Sequence, residues 1–85
     1  MNQDRLLKVD ARSPFEVYFQ DSALTVSGSN KVGKFDILPG HADFFSIINP
    51  DSELVIGTDQ EDIRIAASNG IICVKDDQVQ LFLNI

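Results

Sequence analysis

Apolar residues along the chain fall mostly at alternating positions, in short runs broken roughly every eight to twelve residues by Gly, Asn, Asp, Ser or Pro. Alternation at a period of two is what a strand with one buried face requires, because successive side chains leave the backbone on opposite sides. Leu7, Val9 and Ala11 share one face of a first strand. Ser13-Pro14 interrupts it, since proline donates no ladder hydrogen bond and restricts its predecessor to extended geometry. A second strand restarts at Phe15, with Phe15, Val17 and Phe19 on one side and Glu16, Tyr18 and Gln20 on the other. Asp21-Ser22 is expected to turn, and Leu24 and Val26 continue the alternation. The small and polar run Ser27-Gly28-Ser29-Asn30-Lys31 is expected to be an exposed loop and an interaction edge.

Val32 to Leu38 reads as a short strand closed by Pro39-Gly40. Proline presets φ at the second position of a turn, and glycine accepts the positive φ of a type II turn's third. Phe44, Phe45, Ile47 and Ile48 could line a helix, but Pro50 follows too closely, so the segment is expected to be a strand. Asn49-Pro50-Asp51-Ser52 is a further turn. Leu54 and Ile56, then Ile63, Ile65 and Ala67, form two strands around Gly57-Thr58-Asp59-Gln60. Ile71 to Lys75 and Val79 to Leu83 flank Asp76-Asp77, residues that tolerate the left-handed conformation of a tight hairpin. About eight to ten short strands follow from this reading, and two sheets packed face to face bury both sets of apolar faces. The expectation is an all-β fold, a small two-sheet β-sandwich of mostly antiparallel strands, with residues 1–85 forming a single domain.

A chain of 85 residues holds one small core, which argues against a deep enclosed active site. Seven Lys and Arg against thirteen Asp and Glu give a net charge of −6. That balance opposes binding to nucleic acid or anionic lipid, points to protein partners, and favours a soluble, monomeric free chain. Cys73 is the single cysteine, so an intramolecular disulfide and multi-cysteine metal sites are excluded and a reducing compartment is favoured. No segment approaches the roughly 20 apolar residues needed to span a bilayer, so no membrane insertion is expected. The opening Met-Asn-Gln-Asp-Arg-Leu-Leu-Lys lacks the apolar run of a secretory signal, so the mature chain is expected to start near Met1.

Catalytic chemistry finds little support. His41 is the lone histidine, and Cys73 alternates in phase with Ile71 and Lys75, where a small hydrophobe is the simpler reading than a paired nucleophile. A metal would need His41 to gather Asp36 and Asp43, whose spacings suit a surface turn equally well. Asp51 with Glu53, Glu61 with Asp62, and Asp76 with Asp77 all lie at expected turns, where solvated acids are the default. The glycines at 28 and 33 open no helix, so no phosphate cradle forms there. No catalytic, cofactor-binding or metal-binding residue is expected, and an enzyme is the weakest class.

The remaining feature is Gly33-Lys34-Phe35-Asp36-Ile37-Leu38-Pro39-Gly40-His41-Ala42, a strand running into a rigid turn that presents a histidine. This string resembles the signature of the epsilon subunit family of the F-type ATP synthase. Ser13-Pro14 and the hairpin of Asn69 to Val74 and Asp76 to Leu81 match that family in register, so the resemblance covers nearly the whole chain. It implies a β-sandwich and a non-catalytic place in the rotor's central stalk, peripheral on the cytoplasmic-type face of an energy-coupling membrane. The implied partners are the gamma subunit and the loops of the membrane c-ring. By position, Lys34 and His41 match residues facing the c-ring loops, with Val32 and Asp36 beside them, while Ala42 and Phe45 match positions near gamma. The competing reading is that His41 caps its own turn and Phe45 is core. Lys34 stands where many relatives of the family carry an acid, which changes the charge offered to the ring. Most of the family continues into a two-helix arm beyond the position of Ile85, so neither ATP binding nor inhibition through such an arm is expected of this chain. The rival functional reading is a free-standing β-sandwich that binds another protein.

Overall fold

The computed structural model describes residues 5–84. Nine strands make up the fold: β1 (Leu7–Arg12), β2 (Val17–Ala23), β3 (Thr25–Asn30), β4 (Gly33–Ile37), β5 (Phe44–Ile48), β6 (Ser52–Gly57), β7 (Asp62–Ala67), β8 (Asn69–Lys75) and β9 (Gln78–Asn84). They form a five-stranded sheet ordered β2-β1-β9-β8-β5 and a four-stranded sheet ordered β4-β3-β6-β7. Every pairing is antiparallel except β1 with β9.

The core follows from the alternation. Leu7, Val9 and Ala11 of β1 are buried with Val79, Leu81 and Leu83 of β9 and Ile72 and Val74 of β8. Val26, Ile37, Leu54, Ile56, Ile65 and Ala67 come from the other sheet. No polar or charged residue is buried among the described residues, so the inner layer is held by apolar packing alone.

Three expectations are corrected. Phe15 is 96% exposed and lies in the β1–β2 connection, where the Ser13 hydroxyl accepts a hydrogen bond from its N–H. The register slips between Ala11 and Arg12, placing Phe19 opposite Ala11 and Val17 opposite Arg12. This bulge breaks the alternation, so Val17 is exposed while Tyr18 and Phe19 are both half-buried. Asp21 and Ser22 do not turn; they continue β2 opposite Val9 and Lys8, and the chain bends at Leu24 instead. Asp21 shares its face with Val9 yet stays exposed at the sheet's edge, where an inward-facing charge discourages edge-to-edge pairing. Finally, Ser27 to Asn30 are not a loop but part of β3, paired with Asp36, Phe35, Lys34 and Gly33; only Lys31 and Val32 turn.

The other turns match the sequence reading. The Leu38 carbonyl accepts the His41 N–H at 3.1 Å around Pro39-Gly40, with Gly40 at φ +86°. Asp76 and Asp77 take φ of +51° and +61°, the two positive values of a type I′ hairpin.

Candidate docking surface

The six residues singled out by the resemblance lie along one arch, in which β4 leaves one sheet and β5 enters the other. Among the described residues, β4 pairs only with β3 and β5 only with β8, so both are edge strands. The ring centroids of Phe35 on β4 and Phe44 on β5 are 5.3 Å apart, which closes the apolar interior between them.

The turn at the top of the arch is held from outside. One carboxylate oxygen of Asp77 accepts the Gly40 N–H at 2.7 Å, and the other accepts Nε–H of Arg5 at 2.8 Å. The Gly40 N–H, then the Arg5 guanidinium, hold the Asp77 carboxyl below the ordinary carboxylate range. His41 is half-buried, edge-on to Phe44 with centroids 5.7 Å apart, and its Nδ1 lies 2.8 Å from the Ala42 carbonyl oxygen. The imidazole is thus oriented by its own turn, with His41 half-buried and Ala42 exposed.

Phe45 is not core. Along β5, Ile48 is buried and Phe44 and Ser46 are half-buried, whereas Phe45 and Ile47 are 66% and 69% exposed. Strand register sets Ile47 beside Ile71, and Ile71 beside Phe82, while Phe45 lies beside Cys73. The outer face of β5, β8 and β9 therefore carries a contiguous apolar row at one edge of the molecule. Val32, 96% exposed in the β3–β4 turn, joins Phe45, Ile47 and Pro50 in lining a groove at the end of this row.

Lys34 and Asp36 point elsewhere. They lie on the outer face of the four-stranded sheet, where the Asp36 carboxylate accepts the Ser27 hydroxyl at 2.6 Å. Lys34 lies near an ion pair between Arg64 and Glu53 of 3.0 Å. The structure thus brings Val32 to Phe45, keeps Lys34 with Asp36, and places His41 and Ala42 at the opposite end of β4 from Val32. Ile47, Ile71 and Phe82 were missed by position-matching. Ile47 leaves a signal in the sequence: Phe44-Phe45 and Ile47-Ile48 are apolar on both faces of a strand, more than one buried face requires.

Among the described residues, no helix is long and apolar enough to cross a membrane. A family model described as the β-sandwich domain of the ATP synthase delta/epsilon chain matches residues 6–84. An ATP synthase epsilon chain of Trichlorobacter lovleyi is 29% identical over 73 residues, covering 86% of this chain and 52% of that protein. That of Geobacter sulfurreducens is 27% identical over 77 residues, covering 91% and 55%. The chain thus spans about half the length of these relatives. Among solved structures, the fold is similar to a chain in the Euglena gracilis mitochondrial ATP synthase OSCP/F1/c-ring assembly, with a TM-score of 0.84 at 16% identity over 93% of this chain and 51% of that one. A chain in the Tetrahymena thermophila mitochondrial ATP synthase central stalk and c-ring gives 0.79 at 14% identity, over 93% and 63%. With nearly every described residue inside the matched span and the two-sheet topology in place, the chain belongs to the ATP synthase delta/epsilon chain β-sandwich family.

Proposed function

We propose that this chain is a non-catalytic rotor component of an F-type ATP synthase central stalk, joining the gamma subunit to the loops of the membrane c-ring. The observation that carries the reading is the family match over residues 6–84 on a chain whose β5, β8 and β9 expose a contiguous apolar row. Phe45 and Ala42, with Ile47, Ile71 and Phe82, offer gamma an apolar face, the kind of surface that a permanent protein partner covers. Lys34, Asp36 and His41 offer polar and charged contacts to the c-ring loops and Val32 an apolar one beside them, with Lys34 favouring loops that carry an acid at the contact. Contacts spread along the arch suit two partners at once. Two hydrogen-bonded sheets over a core that buries no polar residue among those described make a stiff body, which is what transmitting torque between partners demands. The chain sits peripherally on the cytoplasmic-type face of the membrane, without inserting.

The test is calorimetric titration of the full chain, and of Phe45→Asp and Ile47→Asp, into purified gamma subunit and detergent-solubilised c-ring from the same source. Binding by the unaltered chain and weakening of at least about tenfold toward gamma in the variants is the expected result. Because both side chains face solvent in the free chain, the variants' unfolding midpoints should shift little. No binding by the unaltered chain at tens of micromolar would overturn the reading.

A further inference from the structure

We infer that Asp77 is a positioning residue that latches the Pro39-Gly40-His41 turn to the β8–β9 hairpin, so that His41 and Ala42 are presented in one orientation for docking; what docks there rests on the stalk reading. Three segments far apart in the sequence meet at this carboxylate. Its two oxygens are divided between them, one accepting the Gly40 N–H at 2.7 Å and the other Nε–H of Arg5 at 2.8 Å. The mount is rigid, because the Asp77 carbonyl also accepts the Lys8 N–H at 2.8 Å, tying the hairpin to the start of β1. The guanidinium of Arg5 lies along the turn, 3.4 Å from where a Cβ on Gly40 would stand.

Hairpin geometry alone does not explain an aspartate here. Asp77 is the second residue of a two-residue turn with φ +61°, a position where glycine is the usual choice. A glycine would satisfy the turn and hold nothing. The arch has few other restraints: within 38–43 the hydrogen bonds are local, from the His41 N–H to the Leu38 carbonyl and between the His41 ring and Ala42. Among the described residues, the Gly40–Asp77 bond is the hydrogen bond that reaches this loop from another part of the fold. Arg5 and Asp77 are both partly exposed, so the latch acts by direction as much as by strength.

Two variants separate the latch from the hairpin. Asp77→Gly keeps the favoured turn conformation and removes the carboxylate. Asp77→Asn also tolerates positive φ and retains an oxygen to accept the Gly40 N–H, while giving up the charge that holds Arg5. Native-state amide exchange on the full chain should show Gly40 exchanging at least about tenfold faster in Asp77→Gly, near its original rate in Asp77→Asn, with the amides of β6 and β9 unchanged. Affinity for the c-ring or gamma should fall in Asp77→Gly and recover in Asp77→Asn, a rescue that loss of overall stability would not produce. Equal Gly40 exchange in all three chains would overturn the latch. Faster Gly40 exchange with unchanged affinity would overturn its role in docking. If the unaltered chain binds neither partner, the stalk reading falls with the docking role, and Gly40 exchange in the free chain still decides whether the latch exists.

Discussion

At Gly70 the backbone of β9 comes too close for a side chain. A Cβ there would stand 2.7 Å from the Phe82 carbonyl oxygen and 2.8 Å from Leu83 Cδ2. Gly70 is paired on both sides, with Leu83 and with Ile48, so the carbonyl cannot swing away without opening the ladder between β8 and its neighbours. Gly28 is also crowded, but by the ends of side chains, Leu54 Cδ2 at 2.8 Å and Phe35 Cζ at 2.9 Å, which can rotate aside. Gly70→Ala should therefore cost about 1–3 kcal/mol, a large share of the roughly 5–10 kcal/mol available to a domain of this size. Gly28→Ala should cost less. Urea unfolding of the two variants checks the order, and an unchanged midpoint for Gly70→Ala would mean that the β8–β9 ladder yields.

How far each strand could be read from the sequence depended on whether its two faces differ. β1, β6, β7, β8 and β9 have an apolar inner face, and the Pro39-Gly40 and Asp76-Asp77 turns carry their chemistry in the residues themselves. β3 is not legible beyond Val26 because Ser27, Gly28, Ser29 and Asn30 have loop composition; they are strand because β4 pairs with all four and β6 with Ser27, a tertiary cause. β2 misled for the opposite reason, since the bulge at Ala11 and Arg12 shifted which of its residues face inward. At the candidate surface, the resemblance points to Phe45 and His41, whereas Ile71 and Phe82 join the row only through strand register across three strands. The polar end of β3 has its own task. Asn49, between β5 and β6, donates from Nδ2 to the Asn30 carbonyl at 3.0 Å and the Ser29 hydroxyl at 3.2 Å, and its N–H donates to the Ser29 carbonyl at 2.9 Å. Asn30 in turn donates to the Ser46 hydroxyl at 2.9 Å on β5. This clip fastens the two sheets where the chain crosses between them. Asn49→Ala removes the side-chain bonds from a partly buried site and should cost about 1–2 kcal/mol by urea titration. Faster amide exchange in β5 should accompany it, and unchanged stability would show that solvent replaces the clip at no cost.

For the whole molecule, charge sets how stability responds to acid, and two effects oppose each other. With a net charge of −6 at neutral pH, early protonation relieves self-repulsion, so stability should hold or rise slightly as pH falls from 7 toward 5. The second effect comes from paired carboxylates. The Arg12 guanidinium donates to both Asp10 oxygens at 2.7 Å and holds that carboxyl below the ordinary range against partial desolvation, with Gln20 adding a longer bond of 3.4 Å. Asp77 is held down in the same direction by Gly40 and Arg5. A carboxyl depressed in the folded state contributes stability that is fully present above its unfolded value, near pH 4, and is lost as pH falls through the lower folded value. The unfolded chain takes up these protons first, so the loss sets in as pH falls from about 5 through about 4. Urea midpoints measured at pH 7, 5 and 3 should therefore change little over the first interval and fall over the second. In the double variant Asp10→Asn, Asp77→Asn the drop between pH 5 and 3 should be shallower, because neither position can then bind a proton on unfolding. Equal losses in the two chains would assign the acid sensitivity to other carboxylates and reduce both pairs to local anchors.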